Sequence, residues 1–148
     1  MTLVFSSTVI LSVGLMVGVE FAVSAFINPV IWKLDPVPRR QAVRLFALKL
    51  GRAMPWWYAA NLLLLVIQTV ALRQRAAIPL LVSACTLWAA VIILTIAFLV
   101  PINNRLARDA SMPLEEAHRQ HRRWDAMHRA RIAALAVAFL LLLFGVHP

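Results

Sequence analysis

Acidic side chains are what this chain has least of. Only six of its 148 residues are Asp or Glu, against fifteen Lys or Arg, which gives a formal net charge of +9. Charged residues of both signs make up 14% and hydrophobic residues 62%, too little polarity to solvate a soluble domain of this size. The one cysteine, Cys85, excludes an intrachain disulfide, and its place inside an apolar run makes a small buried side chain its expected role. No glycine loop of phosphate-binding or dinucleotide type, no Ser or Cys nucleophile elbow, no c-type haem motif and no repeat is found. Basic residues precede no apolar core at the N-terminus, and Glu20 interrupts the run that a signal peptide would need. The first segment is therefore expected to be a permanent span.

What remains is a membrane protein. In a soluble chain the basic excess would point to nucleic acid; in this apolar background the partner is a lipid bilayer and nucleic acid is excluded. Four segments are apolar enough to cross, over 3–31, 55–72, 76–102 and 132–146. The first and third loops carry thirteen basic residues against two, Arg73 and Arg75, in the second. The positive-inside rule then places those two loops in the cytoplasm and both termini outside, in a plasma or bacterial inner membrane. The expected fold is an all-α four-helix bundle with two additions. An amphipathic helix over 39–54 lies on the cytoplasmic surface, ending at a turn marked by Gly51 and Pro55. A second, over 112–131, is N-capped by Ser111 and runs unbroken into the fourth span.

Polar residues inside the spans carry the functional information. Gly14 and Gly18 form a G-x-x-x-G pair that would let another helix, or a second copy of the chain, approach closely. On another face Glu20, Ser24 and Asn28 recur every four residues. A carboxylate at a helix centre costs roughly 2.5–3.5 kcal/mol on insertion, so Glu20 is either an interhelical tie or part of a site. Trp56, Trp57 and Tyr58 read as an interfacial aromatic belt. Asn61 and Gln68 share a face and either bond across helices or line a cavity with Glu20. Span hydroxyls such as Thr86 and Thr95 are expected to bond back to their own helix. Pro101 perturbs the end of the third span, and Asn103 and Asn104 are placed to cap it.

The stretch 121–131 has an unusual face. At about 100° per residue, His121, Trp124, His128 and Arg131 align with Leu114 and Ala117 before them and Ile132 and Leu135 after, Asp125 lying at the edge. Two histidines thus stand where leucines would be expected, and they make either a buried site or a headgroup-level surface. No organic cofactor is implied. A transition metal could be held by His121, Asp125 and His128, but H-x3-D-x2-H is not a diagnostic spacing and only Glu115 and His118 form a Glu-x-x-His pair. General-base chemistry needs less: a histidine beside Asp125 or Glu20 takes a proton from a weakly acidic group, and Asn103, Asn104 or Arg131 holds the oxyanion. His128, His121 and Glu20 are accordingly the catalytic candidates, with Asn103, Asn104, Trp124, Arg131 and Asn61 as candidate substrate contacts.

The pattern Pro101-Ile-Asn103-Asn104-Arg-Leu106 closing the third segment, followed by Trp124, His128 and Arg131 leading into the fourth, resembles the family of small four-span membrane proteins that includes the anthrone oxygenases. The resemblance implies oxygenation of an enolisable aromatic to a quinone by dioxygen, with a lipophilic substrate entering from the bilayer. Against this stand a non-enzymatic module, such as a small-molecule or ion carrier subunit or an accessory protein, and a metal-dependent oxidase.

Overall fold

The computed structural model describes residues 2–74, 76–109 and 111–146. Arg75, one of the two basic residues of the second loop, lies outside them. Among the described residues there are helices and no strands. Four helical rods are long and apolar enough to cross a membrane, Leu3–Trp32, Pro36–Ala71, Ile78–Arg108 and Leu114–Val146, so the chain is a multi-pass membrane protein. The first rod comprises α1 (Thr2–Ala22), a π-helical turn at Val23–Ile27 and α2 (Asn28–Trp32). The second is α3 (Pro36–Ala71); the third is α4 (Ile78–Leu94), a π-helical turn at Thr95–Leu99 and α5 (Val100–Arg108). The fourth, α6 (Leu114–Val146), is the expected single helix through the histidine stretch.

Three local expectations are corrected. No turn separates an amphipathic helix from the second span: α3 runs 36 residues without a break, Pro55 inside it. Gly51 has an ordinary negative φ and serves as a crossing point. A Cβ there would lie 2.7 Å from Asn103 Nδ2, and that amide donates to the Ala47 carbonyl at 3.1 Å. Asn103 and Asn104 accordingly sit inside α5 and cap nothing. Ser111 does not cap α6; its N–H and hydroxyl both donate to Asp109 Oδ1, at 3.0 and 2.8 Å.

The two π-helical turns have one cause. A proline in a helix has no N–H to offer the carbonyl four residues earlier and its ring collides with that carbonyl. Pro29 and Pro101 place the collision at Ala25 and Ala97, the middle residues of Val23–Ile27 and Thr95–Leu99. The helix widens there, and the N–H groups of Asn28 and Val100 reach back five residues to the Val23 and Thr95 carbonyls. Such turns concentrate at functional sites.

At a 1.5 Å rise, 36 residues span about 54 Å, well beyond the roughly 30 Å of a bilayer's hydrocarbon. The bundle therefore has two apolar cores. One, within the spans, is built from Val9, Val13, Met16, Leu65, Leu81, Trp88, Leu135 and Leu142. The other gathers Ile31, Val43, Ala47, Ile102, Leu106, Met112 and Ala117 at the end that carries the first and third loops. Close helix approach holds the first together: Gly145 of α6 faces Leu81 of α4, and Gly14 of α1 faces the Phe139 ring of α6, where a Cβ would lie 3.1 Å from Cζ. Gly18 has no neighbouring atom within 4 Å of a Cβ position.

Candidate active site

Between the two cores lies a knot of polar side chains drawn from three helices. Glu20 of α1, 3% exposed, accepts from the Tyr58 hydroxyl at 2.9 Å through Oε1 and from Arg131 Nη2 at 2.6 Å through Oε2. His128, 1% exposed, brings Nδ1 to 3.2 Å from Glu20 Oε2 and 2.9 Å from Arg131 Nη2. Removing a carboxylate from water costs several kcal/mol unless it is paired and its remaining lone pairs are met. Here a guanidinium and a phenol meet them, and the Arg131 guanidinium also lies 5.5 Å over the Tyr58 ring. The ring of Trp124 stacks on that of His128 at 4.5 Å and 18°, fixing its plane. Behind Tyr58, Trp88 Nε1 donates to the Tyr58 carbonyl at 3.2 Å.

This knot forms one wall of a cavity of about 310 Å³, within the range of small-molecule sites. Glu20, Tyr58, Trp124, His128 and Arg131 contribute polar and aromatic groups; Leu50, Met54, Ile92, Ile96 and Leu99 make most of the remainder apolar. Both π-helical turns reach it, through Val23 and through Thr95, Ile96 and Leu99. Gly51, Pro55, Ala59, Ile96 and Asn104 on its edge are exposed, so between α3 and the third rod the cavity is open sideways, the direction from which a membrane-dissolved molecule arrives.

Three lining residues carry a buried polar atom with no hydrogen-bond partner: His128 Nε2, Arg131 Nε and Thr95 Oγ1. Buried polar atoms are nearly always satisfied, so three at one cavity leave bonding capacity for a ligand or a water molecule. The unpartnered Nε2 is decided at the far side of the ring. Arginine only donates, so Nδ1 either accepts from Arg131, leaving a proton on Nε2, or donates its own proton to Glu20, leaving Nε2 with a lone pair. The site can thus present His128 as donor or as base.

The expected site residues divide. Glu20, His128, Arg131, Trp124, Asn103 and Asn104 line this one cavity. His121 does not: it stacks on Trp32 at 4.3 Å and lines a separate cavity, with Trp124 standing between it and His128. Asn61 bonds across helices instead, accepting from Ser12 at 2.7 Å and donating to Met16 Sδ at 3.1 Å; Gln68 likewise donates to Ser6 at 2.8 Å. Asp125 is held by Asn28 at 2.7 Å and Arg129 at 2.8 Å. His121, Asp125 and His128 therefore face different partners, and no group of three or more His, Cys, Asp or Glu among the described residues is arranged around a common metal position. Two members were not expected. Tyr58 is buried rather than part of an interfacial belt, and Thr95 does not bond back to its helix as Thr86 does to the Val82 carbonyl. Spacing does carry a signal for Tyr58, which continues the buried series Asn61, Leu65 and Gln68 at helical intervals.

Comparison with curated proteins and with solved structures gives no match. The sequence pattern of one family, described as anthrone oxygenase, matches residues 2–141. With nearly the whole length covered, the chain belongs to the anthrone oxygenase family.

Proposed function

We propose that the protein is a membrane oxygenase acting on a lipophilic, enolisable aromatic of the anthrone type. The observation that carries this is the pairing, on one largely apolar cavity, of an unpartnered His128 Nε2 with an unpartnered Arg131 Nε. In the tautomer that donates Nδ1–H to Glu20, His128 Nε2 takes the proton from the acidic carbon of the substrate. Glu20 then faces the imidazolium so formed, as a carboxylate does in catalytic triads. Electron density moves to the substrate oxygen, where Arg131 Nε–H and the Thr95 hydroxyl are the available donors. Dioxygen oxidises the enolate: a methylene becomes a carbonyl, one oxygen atom stays in the product and the other leaves as water. Arg131 has two tasks, one nitrogen neutralising Glu20 and another serving the substrate. The sideways opening supports a substrate drawn from the bilayer. The basic end, by the positive-inside rule, faces the cytoplasm.

The test is anthrone oxidation by the full chain in nanodiscs, followed as quinone formation and oxygen uptake above the protein-free rate. His128→Gln should lower turnover by roughly 10²–10⁴-fold with unchanged helical content. Undiminished turnover in that variant contradicts the assignment.

A further inference from the structure

A second cavity, of about 320 Å³, lies at the basic end and shares no lining residue with the first. Arg39 and Arg40 from the first turns of α3 and His118 and His121 from the start of α6 line it, together with Asp109 and Glu115. The two arginines have no carboxylate partner among the described residues. Arg40 donates to the Met112 carbonyl at 3.0 Å, which fixes its guanidinium while leaving its charge uncompensated. Arg39 lies 5.4 Å over the Trp32 ring. His121 stacks on the same Trp32 at 4.3 Å and 11°, and His118 meets it edge-on at 5.1 Å. Of the two acids, Asp109 is already engaged by the N–H and hydroxyl of Ser111, while Glu115 is exposed.

The decisive atom is His121 Nδ1. The residue is 3% exposed, and this nitrogen has no partner. His121 lines this cavity beside two guanidinium groups without a carboxylate partner among the described residues. In the tautomer protonated at Nδ1 its unpartnered nitrogen is a further donor, so the group suits an acceptor with several oxygens. Guanidinium groups bind phosphate oxygens through forked, charge-assisted bonds. The cavity lies against the second apolar core through Val43, Leu106, Met112 and Ala117, at the end that carries the basic first and third loops, the kind of segment that borders phospholipid headgroups.

We infer that the cavity between Arg39, Arg40, His118 and His121 is a binding site for a phosphate oxyanion, carried either by an anionic phospholipid headgroup or by a free phosphate. His121, seven residues before the proposed base, thus belongs to recognition of this anion.

Native mass spectrometry of the full chain with added phosphatidylglycerol, and calorimetric titration with inorganic phosphate, separate the two sources. One-to-one phosphatidylglycerol adducts without phosphate binding assign the headgroup; saturable phosphate binding assigns the free anion. Arg39→Gln leaves the Arg40–Met112 bond in place, and His121→Phe keeps a ring on Trp32, so both variants preserve the packing. Each should weaken the bound species by roughly tenfold, the loss of one charge-assisted or buried hydrogen bond. Helical circular dichroism and monodisperse elution check the fold, and if one variant misfolds the other decides. Absence of both ligands from the wild-type protein, or binding unchanged in a folded variant of each residue, overturns the site.

Discussion

At the scale of the residue, Glu20 is the group on which the rest of the site depends. Its carboxylate is shared by Tyr58, His128 and Arg131, so its neutral analogue strands a guanidinium whose side chain is only 11% exposed. Glu20→Gln should lower unfolding free energy by about 3–5 kcal/mol, and combining it with Arg131→Gln should recover part of the loss. A double-mutant cycle measured by denaturation in detergent reads this, and additive losses would show that the pair is not coupled. Tyr58→Phe removes one hydrogen bond from the same carboxylate and should cost about 1.5–3 kcal/mol. Much of this knot is legible in the sequence. An acid in an apolar run and a histidine on an apolar face each demand a partner, and the bundle supplies few others. Angular position along a helix is legible too, since Trp124, His128 and Arg131 fall on one face at about 100° per residue. Axial depth is not: His121 shares their face but lies two turns, about 10 Å, before His128, far enough to meet Trp32 instead of Glu20. Asn61 and Tyr58 show the same ambiguity from the other side, since a polar group on a buried face fits a tie or a pocket equally until the neighbouring helix is known.

Among the elements, the prolines matter more than their neighbours. Pro101→Ala restores an N–H opposite the Ala97 carbonyl and removes the collision that opens the turn at Thr95–Leu99. The turn should close to ordinary α-helix and rotate Thr95, Ile96 and Leu99 against Asn103, reshaping the cavity. Expected are unchanged or raised thermal stability and turnover reduced by roughly tenfold or more, in keeping with the sensitivity of catalysis to small misplacements; a fall in stability with full activity would contradict this origin of the turn. Helix crossings give a contrasting pair. Gly145→Ala puts a Cβ 2.5 Å from Leu81 Cδ2 and 2.8 Å from its Cγ, so the buried Leu81 side chain must leave its place or the helices must part, and stability should fall by about 1–3 kcal/mol. Gly18→Ala meets nothing and should leave the thermal midpoint unchanged or raise it slightly. The proline positions were evident in the sequence, but a proline within a helix kinks, ends or widens it according to what packs alongside. The same holds for Gly51 and Pro55, which read as a turn and instead lie in an unbroken helix, where Gly51 and the Ala47 carbonyl seat Asn103.

For the molecule as a whole, four spans and an apolar composition are plain in the sequence, because a bilayer leaves few alternatives for such a chain. The orientation proposed from charge asymmetry is directly measurable. In a Cys85→Ser background, Gln74→Cys in the second loop should react with an impermeant maleimide on intact cells, whereas Ser111→Cys in the third should react only after lysis; both positions are exposed. The reverse pattern would invert the topology and leave the cavity chemistry untouched. That chemistry has a direct test that separates proton removal from the reaction with oxygen. Without dioxygen, the protein in nanodiscs and deuterated water should exchange the acidic carbon-bound hydrogens of anthrone for deuterium faster than buffer and empty nanodiscs do, and His128→Gln should abolish the acceleration. Exchange no faster than in the protein-free control, or equally fast in His128→Gln, would contradict a histidine base in this cavity.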